Sequence, residues 1–400
     1  MKFEAPRGTH DITPAEQPLW RRVVDEFERL CDLYGYRRID TPVFEDTELF
    51  ARTSGQGSDV VTKEMYTFTD RGDRSLTLRP EPTAGIVRAY LEHGMHREPQ
   101  PQKLYTVASQ YRYGRPQKGR YREFWQLDLE AVGSDDPAVD AEVIQLFDAL
   151  LGRLGITEYR LELNSIGDPE CRPRYLEEQL GPWLAEHAAD LDEATREQAS
   201  RNPLRALDNI AAKRPAVAEL LRTAPAIGDS LCDACRAHFA DVRRFLDAHG
   251  IAYDLVPTLV RGLDYYTRTT WEFLGPDETA QSSLSGGGRY DGLAEELGGA
   301  HTPAVGFGAG IERLLIALER EEIAPAEPAG IDVFFVCEEG ADRTAVAAAL
   351  KALRADGKRA DMDYAGRSVK GQLTQAARLG AGHVLRVGAD TDLAAEVAKL

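Results

Sequence analysis

Cysteine is scarce in this 400-residue chain: five residues, odd in number and scattered at positions 31, 171, 232, 235 and 337. That excludes a disulfide scaffold and fits the reducing cytosol. Cys232-Asp-Ala-Cys235 is a lone Cys-x-x-Cys with no second pair, although Cys171 could lie nearby. A zinc site needs four ligands, or three and water. The thiols are therefore expected on a helix face, and no metal site is assigned. Long apolar runs are missing as well. No 18-residue apolar stretch occurs, and the N-terminal MKFEAPRGTHD has no apolar h-region; neither membrane insertion nor export is expected. An excess of basic residues is lacking too: 48 Lys and Arg stand against 66 Asp and Glu, a formal net charge of −18. A protein that coats nucleic acid broadly is excluded, and any polyanion must meet local basic patches. Ser285-Gly-Gly-Gly-Arg-Tyr-Asp-Gly292 lacks a following Gly-Lys-Ser/Thr, so it is no Walker loop. With 43% apolar residues the chain can build ample core, in two or three domains.

Against the overall acidity, residues 111–122 carry Arg112, Arg115, Lys118, Arg120 and Arg122 without one acid. Apolar and aromatic stretches flank them, which predicts a strand, a basic loop bent by Pro116 and Gly119, and a returning strand. Alternation puts Phe124, Gln126, Asp128 and Glu130 on one face of the return strand. Acceptors beside an aromatic plane and a guanidinium suit an amine, a flat ring and a phosphate; a merely solvated basic hairpin is the bland alternative.

Upstream, Thr13, Pro14 and Glu16 read as a capping box opening a helix with Leu19, Trp20, Val23, Phe27 and Leu30 on its apolar stripe. Strand Tyr36–Ile39 leads to Pro42, a residue suited to a sheet edge that could meet a second subunit. Residues 51–63 read as a polar, glycine-rich loop. Thr83 is placed to cap the helix Ala84–Leu91, with Glu81 at the junction, where a carboxylate could receive a substrate ammonium group. Asp136-Pro137 opens another helix. Residues 169–250 turn to Ala, Arg, Glu and Leu, predicting a helical insertion with its own small core. Strand pattern resumes over Ala252–Val260, followed by Arg261-Gly-Leu-Asp-Tyr-Tyr-Thr267, whose polar residues need partners or a ligand if buried. Pro303–Gly310 is a glycine-rich strand feeding a helix that begins with Arg313. Beyond a proline/alanine linker at 322–329, strands and helices alternate, which predicts a small parallel α/β domain. Its segment 351–378 holds seven Lys/Arg and three Asp, a second patch for a polyanion.

RGTHDI, TLRPEPTA, YRYGRPQKGRYREFWQ, LVRGLDYYTRT with GGGRYDGL, GFGAGIERL and the tail GRSVKGQLTQAARLGA together resemble histidyl-tRNA synthetases, a class II aminoacyl-tRNA synthetase family. The resemblance spans nearly the whole chain, in order, and RGLDYYT is its most specific part. It implies an α+β catalytic domain with an antiparallel sheet over residues 1–325, a helical insertion at about 169–250, and a C-terminal α/β anticodon-binding domain over 326–400. It implies ATP-dependent activation of L-histidine, with Mg²⁺ on the ATP phosphates, and transfer to tRNA(His) by a cytoplasmic homodimer. Position by position, Arg112 resembles the arginine that contacts the substrate carboxylate and the α-phosphate, and Phe124 the residue that stacks on adenine. Arg313 resembles the arginine that reaches the γ-phosphate. Glu81, Thr83, Gln126 and Glu130 match positions that hold the histidine, and Arg261 the catalytic arginine, with Tyr265 and Tyr266 lining the imidazole pocket. Arg115 and Gln117 match the loop that approaches the tRNA acceptor end. Gly114 departs from the pattern, standing where a glutamate usually touches adenine. A paralogue of these enzymes, the non-catalytic histidine-sensing regulatory subunit of ATP phosphoribosyltransferase, is the alternative. It typically lacks the RGLDYYT arginine and the anticodon domain, both of which have counterparts here.

Overall fold

A computed structural model describes residues 3–53, 64–207, 210, 213–276, 283–323 and 330–399, in two units, Met1–Pro325 and Ala326–Leu400. In the first unit the strands in chain order are β1 (Arg37–Arg38), β2 (Phe44–Asp46), β3 (Tyr66–Thr69), β4 (Ser75–Leu78), β5 (Gln102–Tyr111), β6 (Glu123–Val132), β7 (Arg160–Ser165), β8 (Asp254–Leu255), β9 (Thr267–Leu274), β10 (Ser283–Arg289) and β11 (Ala304–Gly310). Eight of them form one sheet in the order β1-β5-β6-β11-β10-β9-β7-β8. Only the outer pairs β1–β5 and β7–β8 are parallel. The sheet's centre is antiparallel, as the resemblance implies.

Alternation along β6 sorts its residues between two environments. Leu127, Leu129 and Ala131 face a core built with Phe27, Leu146, Phe147, Leu150, Trp271 and Phe307. Helices Gln17–Tyr34 and Pro137–Leu154 cover that face, the latter capped by Asp136, whose carboxylate accepts from the Ala138 N–H. Arg289, fully buried, ties the end of β10 to this layer: its guanidinium pairs with Asp140 of the Pro137–Leu154 helix and with Asp291. A buried guanidinium is tolerable only when its donors are met in this way. The opposite face of the sheet is left for other work.

Three sequence expectations need correction. Thr13 and Glu16 make half a capping box: the Glu16 carboxylate accepts from the Thr13 N–H and hydroxyl, but the helix begins only at Gln17. The strand predicted over 252–260 shrinks to two residues, because Pro257 has no N–H to continue a ladder. Residues 261–266, including Tyr265 and Tyr266, are consequently turn, and β9 begins at Thr267. Finally, the insertion's small core is not self-contained among the described residues. Its Tyr175, Leu184, Leu207 and Leu221 form one cluster with Val87, Tyr265 and Tyr290, while Val242 and Leu246 of its last helix, Asp233–His249, join the main core. The loop expected at 51–63 falls largely outside the described residues.

β2, β4 and β3 make a separate small sheet in that order, with β2 at its edge. Pro42 precedes β2, and the buried Arg79 guanidinium holds this entry by donating to the Thr41 carbonyl at 2.8 Å. Val43, Phe44 and Phe68 remain exposed beside it.

The second unit contains β12 (Val333–Cys337), β13 (Ala360–Met362) and β14 (His383–Val387), parallel and ordered β13-β12-β14. VFFVC is apolar at every position because β12 is buried on both faces, against Val346, Leu350 and Leu353 on one side and Ala376 on the other. Of the seven basic residues in 351–378, Arg354, Arg359 and Arg367 pair with Asp361, Asp332 and Asp363. Lys351, Lys370 and Arg378 are exposed, as is Tyr364.

Candidate active site

The face of the sheet away from the core carries a trough, and glycines make it. Register sets Glu130 of β6 opposite Gly306 of β11, Asp128 opposite Gly308, and Gln126 opposite Gly310. On the next strand Gly288 lies beside Gly306 and Gly286 beside Gly308. A Cβ at Gly306 would collide with the Glu130 carboxylate, and one at Gly286 with the Arg261 guanidinium. At Gly308 it would stand 2.7 Å from Asp128 Oδ1, and at Gly288 2.7 Å from the Tyr266 ring. Four alternate positions on two strands must therefore lack side chains. What they leave is a cleft of about 180 Å³, lined by Glu81, Thr83, Arg112, Gln126, Glu130, Arg261, Tyr265 and Tyr266, together with Asp128 and Tyr290.

Three carboxyl groups converge at one end. Glu81 is buried where β4 gives way to the helix Thr83–Glu92, and its two oxygens accept from the Thr83 and Ala84 N–H groups. Glu81, not Thr83, thus caps this helix; the Thr83 hydroxyl instead donates to Glu130 Oε1 at 2.7 Å. Glu130 Oε2 accepts from the Tyr290 hydroxyl. Burial pushes the Glu130 carboxyl up to about 8, against the hydrogen bonds from Tyr290 and Thr83. Burial and the neighbouring Glu130 and Glu81 hold Asp128 well above the usual carboxylate range, and burial raises Glu81 as well. Asp128 Oδ2 and Gln126 Oε1 are buried without a hydrogen-bond partner. Acceptors in this state favour a ligand that brings its own N–H donors and positive charge. Tyr265 packs its ring 4.8 Å from Tyr266 and 5.7 Å from Tyr290, closing this end with aromatic walls. Burial pushes the Tyr266 hydroxyl up to about 12, so it stays a neutral donor.

Guanidiniums gather at the other end. Arg112 leaves the end of β5, donates to the Pro80 carbonyl at 2.8 Å and lies 5.3 Å from the Phe124 ring. Arg261 rests over Gly286 and pairs with Glu272 of β9 at 2.8 Å. Arg313 opens the helix Ile311–Arg320 and donates to the Ser283 carbonyl at 2.8 Å. Its affinity for its proton is lowered by burial and by Arg261, Arg112 and Arg120, while Glu272 works the other way. Next to it, Glu312 accepts from the Trp125 N–H and so anchors that helix to β6. Several guanidiniums near one carboxylate suit a polyanion. Arg115 and Gln117 lie elsewhere, exposed on the loop between β5 and β6. Arg122 at the end of that loop is fixed by its N–H to the Gly8 carbonyl at 2.7 Å, which gives RGTHDI a structural reason.

Sequence reasoning missed Asp128, Glu272 and Tyr290 as parts of the site. For Asp128 the signal was present, since it shares a face with Gln126 and Glu130. Tyr290 continues the face of Gly286 and Gly288, but only the register of β10 on β11 shows that this face is the trough.

The family model described as "Histidyl-tRNA synthetase" matches residues 8–314. A histidine–tRNA ligase of Halothermothrix orenii is 46% identical over 393 residues, 98% of this chain and 93% of its own. That of Nocardia farcinica is 49% identical over 392 residues, 98% and 91%. The crystal structure of apo Staphylococcus aureus histidyl-tRNA synthetase superposes with a TM-score of 0.80 at 39% identity, covering 97% of this chain and 92% of that one.

Proposed function

The chain belongs to the histidyl-tRNA synthetase family, and we propose that its trough activates histidine between the three carboxyl groups and the arginine cluster. It is an aminoacyl-tRNA synthetase, an enzyme that uses ATP to convert L-histidine to histidyl-adenylate and then charges tRNA(His). The observation that carries the residue-level reading is the glycine-floored cleft with acceptors at one end and guanidiniums at the other. Histidine-dependent exchange of pyrophosphate into ATP tests it.

In this reading Glu81, Thr83 and Gln126 hold the ammonium group, and Glu130 and Tyr266 hold the imidazole. The histidine carboxylate attacks the α-phosphorus, the bond to the β-phosphate oxygen breaks, and pyrophosphate leaves. Arg112 and Arg261 neutralise the charge that builds on the phosphorus oxygens, and as fixed cations they need little reorganisation to do so. Arg313 receives the γ-phosphate, Phe124 stacks on adenine, and Mg²⁺ enters with the ATP phosphates as part of the substrate. A terminal ribose hydroxyl of the tRNA then attacks the activated carbonyl carbon and AMP leaves. Arg115 and Gln117 are assigned to that acceptor end, a role their exposure on the β5–β6 loop supports. Retention of Arg261, seated and paired, is the observation against the non-catalytic regulatory subunit. Among the described residues no helix is long and apolar enough to cross a membrane, and a cytosolic location suits the five free thiols.

Histidine binding should release a proton. In the free protein Glu130 keeps its proton up to about pH 8. That raised value means its burial favours folding most where the carboxyl is protonated, below its ordinary value of about 4.5, and the contribution is lost as pH rises through about 8. Donors from the bound ligand stabilise the carboxylate, so near pH 7 the proton leaves and affinity tightens with rising pH, by up to about tenfold per unit. Calorimetric titration in two buffers of different ionisation enthalpy measures this. Release approaching one proton, abolished in Glu130→Gln, is expected; uptake or no exchange would contradict the assignment.

Residues 326–400 serve, in this account, to grip the anticodon end of the tRNA, through Lys351, Lys370, Arg378 and the exposed Tyr364. Exposed Val43, Phe44 and Phe68 beside Pro42 support a homodimer through this face. A chain ending at residue 325 should retain histidine activation and sediment as a dimer, because every residue assigned to either lies before 326. Its tRNA charging should fall sharply, with a weaker salt dependence of tRNA binding. A truncated dimer that charges tRNA as well as the full chain would refute the role.

A further inference from the structure

We propose that Asp168, Cys171, Cys232 and Cys235 form a structural zinc site at the root of the helical insertion. One potential ligand atom from each lies within 4.8 Å of all the others, and among the described residues this is the one group of metal-ligating side chains so assembled. Sequence spacing alone assigns no metal because Asp168, the fourth ligand, stands 64 residues before Cys232. Folding removes that separation. Asp168 and Cys171 follow β7 directly, while Cys232 is the N-cap of the helix Asp233–His249 that returns the chain to the main core.

The geometry is that of a ligand set with its supports in place. Asp168 Oδ1 is occupied, accepting from the Glu170 and Cys171 N–H groups at 3.0 Å each. That fixes the carboxylate so that Oδ2 turns to the thiols, 3.0 Å from Cys235 Sγ and 3.7 Å from Cys232 Sγ. The Cys235 N–H points at Cys232 Sγ from 3.4 Å, the kind of backbone donation that steadies a thiolate ligand. Gly167, at φ +66, lets Cys171 Sγ approach; a Cβ there would stand 2.8 Å from the sulfur. Cys171 and Cys235 are buried and the other two half-buried, so the site is enclosed yet reachable. Three sulfurs and one carboxylate oxygen, four in all, match the tetrahedral preference and borderline softness of Zn²⁺ rather than Mg²⁺ or Ca²⁺. Binding sets four charged ligands against the dication, and Arg172, in the field of Cys171, Asp168 and Cys235, offsets part of the excess.

Such a site would cross-link the two ends of the insertion. It also bears on the imidazole pocket at one remove, since Arg172, next to Cys171, donates to the Tyr266 carbonyl at 2.6 Å. Zinc here is a brace, with no part in the chemistry of activation.

The test uses the full chain, purified without chelators and reconstituted under reductant with Zn²⁺ or Co²⁺ alone. One zinc per chain after gel filtration is expected, with Co²⁺ giving a thiolate charge-transfer band and the intense visible bands of a tetrahedral site. Cys235→Ser should lose the zinc, and zinc should raise the thermal midpoint of the parent but not of that variant. Because a cysteine variant can misfold, Asp168→Cys is the second arm: it should keep one zinc and shift the cobalt spectrum towards four sulfurs. Failure of the reduced full chain to retain either metal would overturn the site. So would cobalt bound without the charge-transfer band, or a folded Cys235→Ser that keeps its zinc.

Discussion

Phenylalanine should support ATP–pyrophosphate exchange about 10⁴-fold less efficiently than histidine, or worse. The two amino acids share the ammonium and carboxylate that Glu81 and Arg112 would hold, so any difference arises at the ring. There the cleft offers Glu130, already committed to Thr83 and Tyr290, and the Tyr266 hydroxyl, all buried among aromatic rings. An imidazole supplies ring nitrogens to these groups. A phenyl ring supplies none, so it cannot make the hydrogen bonds by which the imidazole engages Glu130 and Tyr266, and it is larger as well. An apolar pocket discriminates weakly, by tens to hundreds, whereas a site built to hydrogen-bond its substrate rejects the apolar analogue by about 10⁴–10⁵. Steady-state exchange with each amino acid measures the ratio. Activation of phenylalanine within about a hundredfold of histidine would mean that Glu130 and Tyr266 do not read the ring.

Arg261→Ala should slow adenylate formation by about 10²–10³ while histidine still binds. The side chain rests over Gly286, held by Glu272, and lines the same cleft as Arg112. Its charge is of most use when the α-phosphorus becomes pentavalent, a state absent from the free amino acid complex. Removal should therefore lower kcat far more than it weakens histidine binding. Arg261→Lys retains a charge but loses the planar fork and should recover only part of the rate. Single-turnover adenylate formation with calorimetric histidine binding separates the effects. A near-normal rate in the alanine variant would remove Arg261 from the chemistry.

How much of this was legible depended on how local each signal was. The β5–β6 hairpin could be read because its basic loop and alternating return strand are contiguous. The parallel α/β pattern of 326–400 could be read because each strand and helix carries its own periodicity. Glu81 and Thr83 were legible as a junction, yet their roles exchanged: the longer Glu81 side chain folds back onto the helix N–H groups and frees Thr83 for Glu130. The apolar pattern of 252–260 exceeds its strand, which stops at Leu255, two residues before Pro257. Non-local features were the hidden ones. Nothing in GGGRYDGL says that Tyr290 will meet Glu130, 160 positions earlier, until the register of β10, β11 and β6 is known. The glycines themselves were visible; that they floor one trough was not. The insertion was expected to be self-contained because its composition changes, but its apolar face is shared with the wall behind Tyr265 and Tyr290.

Histidine-dependent pyrophosphate–ATP exchange by the purified full chain is the most direct measure of the central claim, that this trough activates histidine. Exchange should require histidine and ATP together, proceed without tRNA, and collapse in Arg261→Ala while histidine binding persists. A folded protein that binds histidine but catalyses no exchange would contradict it.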